Sequence, residues 1–204
     1  MALARVEVTD GLLAELGRFE ELVRPLDAVD WERPSRCDGW TVGDVARHVI
    51  GSMADVVAGR LDGLGSPEVT EREVAERAGR RPAELADECA EVTKAAAGML
   101  PLFDDDAWAA AAPGGYDGTL GDGIEALWYD TWLHADDIRA ALGRPTELGD
   151  GLRGAVSHVV FELAKRGWHG EVPAGDELGF VLVATGRADP TTMRNAAPLN
   201  IYAA

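Results

Sequence analysis

The stretch IEALWYDTWLHADDIRAAL, residues 124–142, decides how this chain folds. Ile124, Leu127, Trp128, Thr131, Ala135, Ile138 and Leu142 recur at three- and four-residue intervals, the pattern of a helix with one apolar face. Gly143 and Pro145 stop it, because glycine admits a turn and proline cannot continue the hydrogen-bond ladder. Asp130 and His134 stand four apart, so their side chains leave the helix on one flank, a turn from each other. That flank borders the apolar stripe and offers a carboxylate and an imidazole to a neighbouring helix.

Similar patterns lie on either side. Leu12, Leu13, Leu16, Phe19, Leu22 and Val23 predict a helix over residues 9–24, with Thr9 or Asp10 as N-cap and Pro25 as stop. Asp30 to Trp40 reads as a connecting loop, and Thr41-Val-Gly-Asp44 resembles a capping box that starts a second helix at Val42. Val45, Ala46, Val49, Met53, Val56 and Val57 form its stripe, which fades near Gly63 to Gly65. The polar stretch from Ser66 to Arg81 has little period and reads as a mobile loop with at most a short helical turn. Pro82 then opens a third helix carrying Leu85, Cys89, Val92, Ala96 and Leu100, stopped by Pro101. Residues 104–123 contain an Asp run and many glycines, and the glycines of 114–123 read as a flexible loop.

A further helix over 152–166 uses Val156, Val159, Val160 and Leu163. Leu178 to Thr185 is a short apolar run of strand character, and the tail from Gly186 to Ala204 is turn-rich and aperiodic. These elements predict a mainly α fold: a four-helix bundle with an extra C-terminal helix and a short strand-like tail. Its crossover connections would be Asp30 to Trp40 and Ser66 to Arg81. Residues 1–170 form the bundle, and 171–204 a short extension that is not an independent domain.

Composition narrows the function. With 204 residues and 47% apolar side chains the chain can bury an ordinary core. A formal charge of -17 repels phosphate backbones and anionic headgroups, which argues against nucleic-acid or membrane-surface partners. No secretory pattern or membrane-length apolar stretch is evident, so a cytoplasmic location is expected. Cys37 and Cys89 lack CxxC spacing and are expected as reduced, buried thiols.

His48 is the natural third donor beside Asp130 and His134. It lies three residues after the stripe position Val45 and just before Val49, so it faces inward from the second helix, and bundles build metal sites from facing helices in this way. Asp-x-x-x-His also occurs where the imidazole is only a hydrogen-bonded core group. Asp137, three residues after His134, is placed to orient that ring or to sit solvated; Asp136 reads as solvated charge, and Arg139, at i+2, does not face Asp137. Trp40, Trp128 and Trp132 either wall a pocket or pack the core. His158 and His169 read as surface or capping residues. The glycines of residues 114–123 lack a phosphate-binding order, and no serine elbow occurs.

The segments Trp31-Glu-Arg-Pro-Ser-Arg-Cys-Asp-Gly-Trp40, Thr41-Val-Gly-Asp-Val-Ala-Arg-His48 and Asp130-Thr-Trp-Leu-His-Ala-Asp-Asp-Ile-Arg139 together resemble mycothiol-dependent maleylpyruvate isomerase-like proteins, a branch of the DinB-like bundles. The resemblance implies a divalent metal, usually zinc, held by His48, His134 and Asp130, with Asp130 standing where the family usually has Glu. It implies mycothiol as a thiol cosubstrate, with Trp40, Asp137 and Arg139 around it, and a small-molecule electrophile as its target, in a monomer or homodimer. Relative to the family's larger isomerases the C-terminal part looks short, which tilts the expectation toward S-transfer over cis–trans isomerisation. A non-catalytic ligand- or partner-binding bundle with structural or no metal, and metal-assisted hydrolysis, are the competing readings.

Overall fold

The computed structural model describes residues 3–192 and 200–202, and among these it is mainly helical, with no sheet. Nine α-helices follow in order: α1 Arg5–Val23, α2 Ala28–Trp31, α3 Val42–Val57, α4 Pro67–Glu76, α5 Pro82–Met99, α6 Asp105–Ala109, α7 Leu120–Ala141, α8 Asp150–Lys165 and α9 Glu177–Ala184. It is a DinB-like bundle. The helix α1 packs on α5 and α7, and α3 packs on the same two, so the four form a ring in which α1 lies diagonal to α3 and α5 to α7. The α1–α3 link therefore crosses the bundle as expected. The Ser66–Arg81 segment joins neighbours, and the second diagonal crossing is made instead by residues 100–119.

Local chemistry sets the helix starts. Thr41 Oγ1 accepts the Asp44 N–H at 3.2 Å and Asp44 Oδ2 accepts the Thr41 N–H at 3.1 Å, the reciprocal capping anticipated from the sequence. The first helix begins earlier than Thr9 or Asp10, at Arg5, where the Glu7 carboxylate accepts the free Ala4 N–H at 2.9 Å. Two expected non-helical segments are helices. In α4, Ser66 Oγ caps the Val69 N–H at 3.3 Å and Pro67 occupies the first turn, where its missing N–H costs nothing. The apolar run 178–185 is α9, not a strand: among the described residues no strand stands beside it, and a helix satisfies its buried backbone internally. Of the tail, Pro190–Thr192 form a 3-10 turn, while 193–199 and 203–204 lie outside the described residues.

Helices α8 and α9 form a second layer, α8 covering α7 and part of α1, and α9 lying on α8. Trp128, fully buried, is the hinge of this packing. A Cβ at Gly11 of α1 would sit 2.4 Å from its ring and one at Gly154 of α8 2.8 Å, so both glycines are required for the ring to lie between the two helices. Burying such a side chain contributes roughly 2–3 kcal/mol. Gly51 plays the same part for α3 and α4, since its Cβ would meet Glu73 Cβ at 2.6 Å.

Candidate metal centre

Helix α3 supplies His48, and α7 supplies Asp130 and His134. The His48 Nε2 lies 3.6 Å from Asp130 Oδ2 and the His134 Nε2 3.4 Å from Asp130 Oδ1, with one donor atom from each residue within 4.8 Å of the other two. The imidazole rings meet edge to face, centroids 5.1 Å apart. Both histidines are nearly buried, with side chains 10% and 12% exposed, and Asp130 is 30% exposed.

Each imidazole is held from behind by a carboxylate. Glu73 Oε2, fully buried on α4, accepts from His48 Nδ1 at 2.8 Å, and Asp137 Oδ2 accepts from His134 Nδ1 at 3.0 Å. A carboxylate only accepts, so each Nδ1 carries a proton, and in the neutral imidazole each Nε2 keeps a lone pair beside Asp130 that an ion can take. This carboxylate–imidazole arrangement is the usual support of a metal-binding histidine, and two nitrogens with one carboxylate form an open three-donor set suited to zinc or a similar divalent ion. The residues fit the group.

Electrostatics agree. Burial works against charge on Asp130, yet the neighbouring His134 and His48 outweigh it and bring the carboxyl down to about 2. Burial also opposes protonation of His134, but Asp130 and Asp137 overcome it and raise the imidazole well above its ordinary value. Two carboxylates thus create a strong local demand for positive charge, which a proton or a metal cation meets.

Asp137, fully buried, accepts from more than His134. Arg187 grips it with Nε at 2.9 Å and Nη2 at 2.7 Å, Arg36 Nε donates at 3.0 Å, and Cys37 Sγ at 3.2 Å. Cys37, His134 and Asp137 are themselves close enough to share an ion. Their carboxylate is already consumed by two guanidinium groups, however, and those cations repel another. The His48–Asp130–His134 set is the better site.

Several residues sit differently from their sequence expectation. Arg139 is buried away from this centre and pairs with Glu147, so it does not surround the site; the arginine that does is Arg187, just after α9. Asp136 is buried and paired with Arg36 at 2.6 Å instead of solvated. His158 is buried, stacked on Tyr129 with centroids 4.4 Å apart, and desolvation pushes its pKa down to about 4. Cys37 is half-buried and faces the centre, its Sγ 3.7 Å from His134 Nδ1, whereas Cys89 is buried as expected. Trp40 walls the site, edge-on to His48 at 5.4 Å. His169 is exposed.

The loop between α2 and α3 is shaped for this purpose. Trp40 N–H closes a turn onto Cys37 O at 3.0 Å with Gly39 at φ 77°, a conformation that suits glycine, and the turn aims Arg36 and Cys37 inward. The centre opens into a cavity of about 820 Å³ whose lining includes Cys37, Trp40, His48, Asp130, His134, His158 and Arg187. Tyr202 also lines it and shares a 2.7 Å hydroxyl–hydroxyl hydrogen bond with Tyr129. Among the described residues no helix is long and apolar enough to cross a membrane.

Residues 12–139 match the family model of the mycothiol maleylpyruvate isomerase N-terminal domain. Two solved structures of a mycothiol-dependent maleylpyruvate isomerase, one of them a histidine-to-alanine mutant, superpose with a TM-score of 0.63 at 18% identity, covering 91% of this chain and 90% of theirs. With coverage nearly equal on both sides, the chains compared are similar in length, and the expected shortfall at the C-terminus is not seen. No curated protein matches the sequence. The chain belongs to the family defined by the N-terminal domain of mycothiol maleylpyruvate isomerase.

Proposed function

We propose that this protein is a mycothiol-dependent isomerase-type enzyme that holds one divalent metal, zinc being the natural candidate, at His48, Asp130 and His134, and acts on a small conjugated electrophile. The observation that supports it is the convergence of two carboxylate-braced imidazoles and a third carboxylate at the floor of a large cavity. A divalent cation held there favours a bound thiol as thiolate, the nucleophilic form.

The chain's own part is positioning. Glu73 and Asp137 fix the imidazole tautomers, and Trp40, edge-on to His48, walls one side of the site. Sulfur adds to the β-carbon of a cis double bond conjugated to a carbonyl; the π pair moves to the carbonyl oxygen as an enolate, and rotation occurs about what is now a single bond. Return of the pair re-forms the double bond as trans and expels the thiolate, so thiol is regenerated. Retaining the carbon–sulfur bond would instead give S-transfer, and with the C-terminal part comparable to that of the isomerase, isomerisation is the first reading.

The test is metal content of protein purified without chelator, followed by calorimetry with mycothiol. About one equivalent of metal is expected in the natural protein and far less in His48→Ala and His134→Ala, with mycothiol binding lost on metal removal. Equal metal in all three proteins would overturn the site, and thiol binding indifferent to metal would overturn the thiol's role.

A further inference from the structure

The cavity continues well past the His48–Asp130–His134 centre. Val56 lines it eight residues beyond His48 on α3, roughly 12 Å at the helical rise. Around this far lobe stand Val56, Leu61, Leu64, Met99, Phe103 and Leu127, from α3, α5, α7 and the segments following α3 and α5. All six are only half-buried, although their counterparts on the same helices, such as Met53 and Val92, are buried in the core. They are left uncovered because they face the cavity.

Its charge is equally one-sided. Arg187 is the one arginine or lysine among the described lining residues, and its Nε, Nη1 and Nη2 already donate to Asp137 and the Thr185 carbonyl. Asp38 and Asp130 add negative charge to the lining. A carboxylate beside the proposed metal or Arg187 has a cation to meet it, but one that extends into the apolar lobe has none among the described lining residues, and an unpaired charge in such surroundings is strongly disfavoured. An apolar body of drug-like size fits a lobe of this kind, since ligand cavities of about 300–1,000 Å³ are typically apolar with a few polar groups that orient the reacting end.

We infer that the electrophile is an α,β-unsaturated carbonyl compound with a hydrocarbon tail, seated in the Val56–Leu64–Phe103 lobe, and not a small dicarboxylate. The inference rests on the reading under Proposed function, and it sharpens that reading to a substrate class.

Binding and turnover separate the two. Calorimetry of the metal-loaded protein with saturated, unreactive methyl ketones of increasing length is expected to show affinity rising about fourfold per methylene, the ~0.8 kcal/mol of a buried CH₂. Leu64→Asp should flatten that series, and Leu64→Ala, a milder change in a loop, should reduce its slope. Affinity indifferent to chain length, or maleate binding more tightly than the longer ketones, would overturn the inference. In the turnover arm, mycothiol-dependent isomerisation of a long-chain cis-enone in preference to maleylpyruvate supports it. Preference for maleylpyruvate overturns it while leaving the proposed reaction in place. Chain-length-dependent binding with turnover of neither compound supports the lobe and overturns the proposed reaction.

Discussion

Asp137 Oδ2 lies 3.0 Å from His134 Nδ1 and is shared with the Arg187 guanidinium, so one buried carboxylate ties an α7 imidazole to a residue beyond α9. Glu73 does the same for His48 from α4 without an arginine, which makes it the cleaner probe. Glu73→Gln removes the charge that strengthens the His48 donor and is expected to weaken metal binding about 10- to 100-fold with helix content unchanged. Competition with a calibrated chelator measures it. An affinity equal to that of the natural protein would show that Glu73 merely packs against Gly51.

His158 gives the fold a pH dependence of known sign. Burial lowers its pKa from 6.5 to about 4, so the unfolded chain binds a proton that the folded chain refuses between those values. Stability conferred by the neutral ring is complete above about pH 6.5 and is lost as pH falls toward 4. Between pH 7 and pH 5 the natural protein should lose about 2 kcal/mol more than His158→Gln does. Urea denaturation of both proteins at the two pH values is the measurement, and parallel losses would refute it.

Gly154 faces Trp128 across the α7–α8 contact with no room for a methyl group. Gly154→Ala gains helix propensity, but the ring cannot retreat because Gly11 closes its other side. Overpacking should win, destabilising the protein by about 1–3 kcal/mol. A thermal midpoint at or above that of the natural protein would show that the α7–α8 contact yields more easily than its spacing indicates.

The two thiols should separate under alkylation. Cys37 is half-buried on the cavity wall, while Cys89 donates to the Leu16 carbonyl at 3.5 Å and burial pushes its pKa up to about 12. Iodoacetamide is expected to label Cys37 in the native state and Cys89 only after denaturation, as mass spectrometry of digests would show. Occupancy of the cavity by a methyl ketone should slow the Cys37 reaction. Native labelling of Cys89 would contradict the packing of α1 on α5.

The bundle was legible wherever one helix face was apolar and the other polar. α3, α5, α7 and α8 emerged within a few residues of their limits, and so did the inward direction of His48, Asp130 and His134. α4 escaped because its inward face is Glu73 and Arg77, a polar contact that carries no hydrophobic period; the Ser66–Pro67 pair was its legible sign. α9 failed for the opposite reason. Its run is apolar on every side, and such a run has no period to separate helix from strand. His158 was misread because α8 has two inward faces, the valine stripe and a second set of Gly151, Gly154 and His158 against α7, where small size and not hydrophobicity marks burial. Arg187 was invisible, since only the folded chain brings it beside Asp137.

The segment matched by the family model ends at residue 139, yet His158, Arg187 and Tyr202 of the cavity wall all come later in the chain. The cavity wall is therefore written in two stretches of sequence, joined through the Arg187–Asp137 pair. Substitutions after residue 139 can reshape one side of the cavity while the proposed ligands His48, Asp130 and His134 stay as they are.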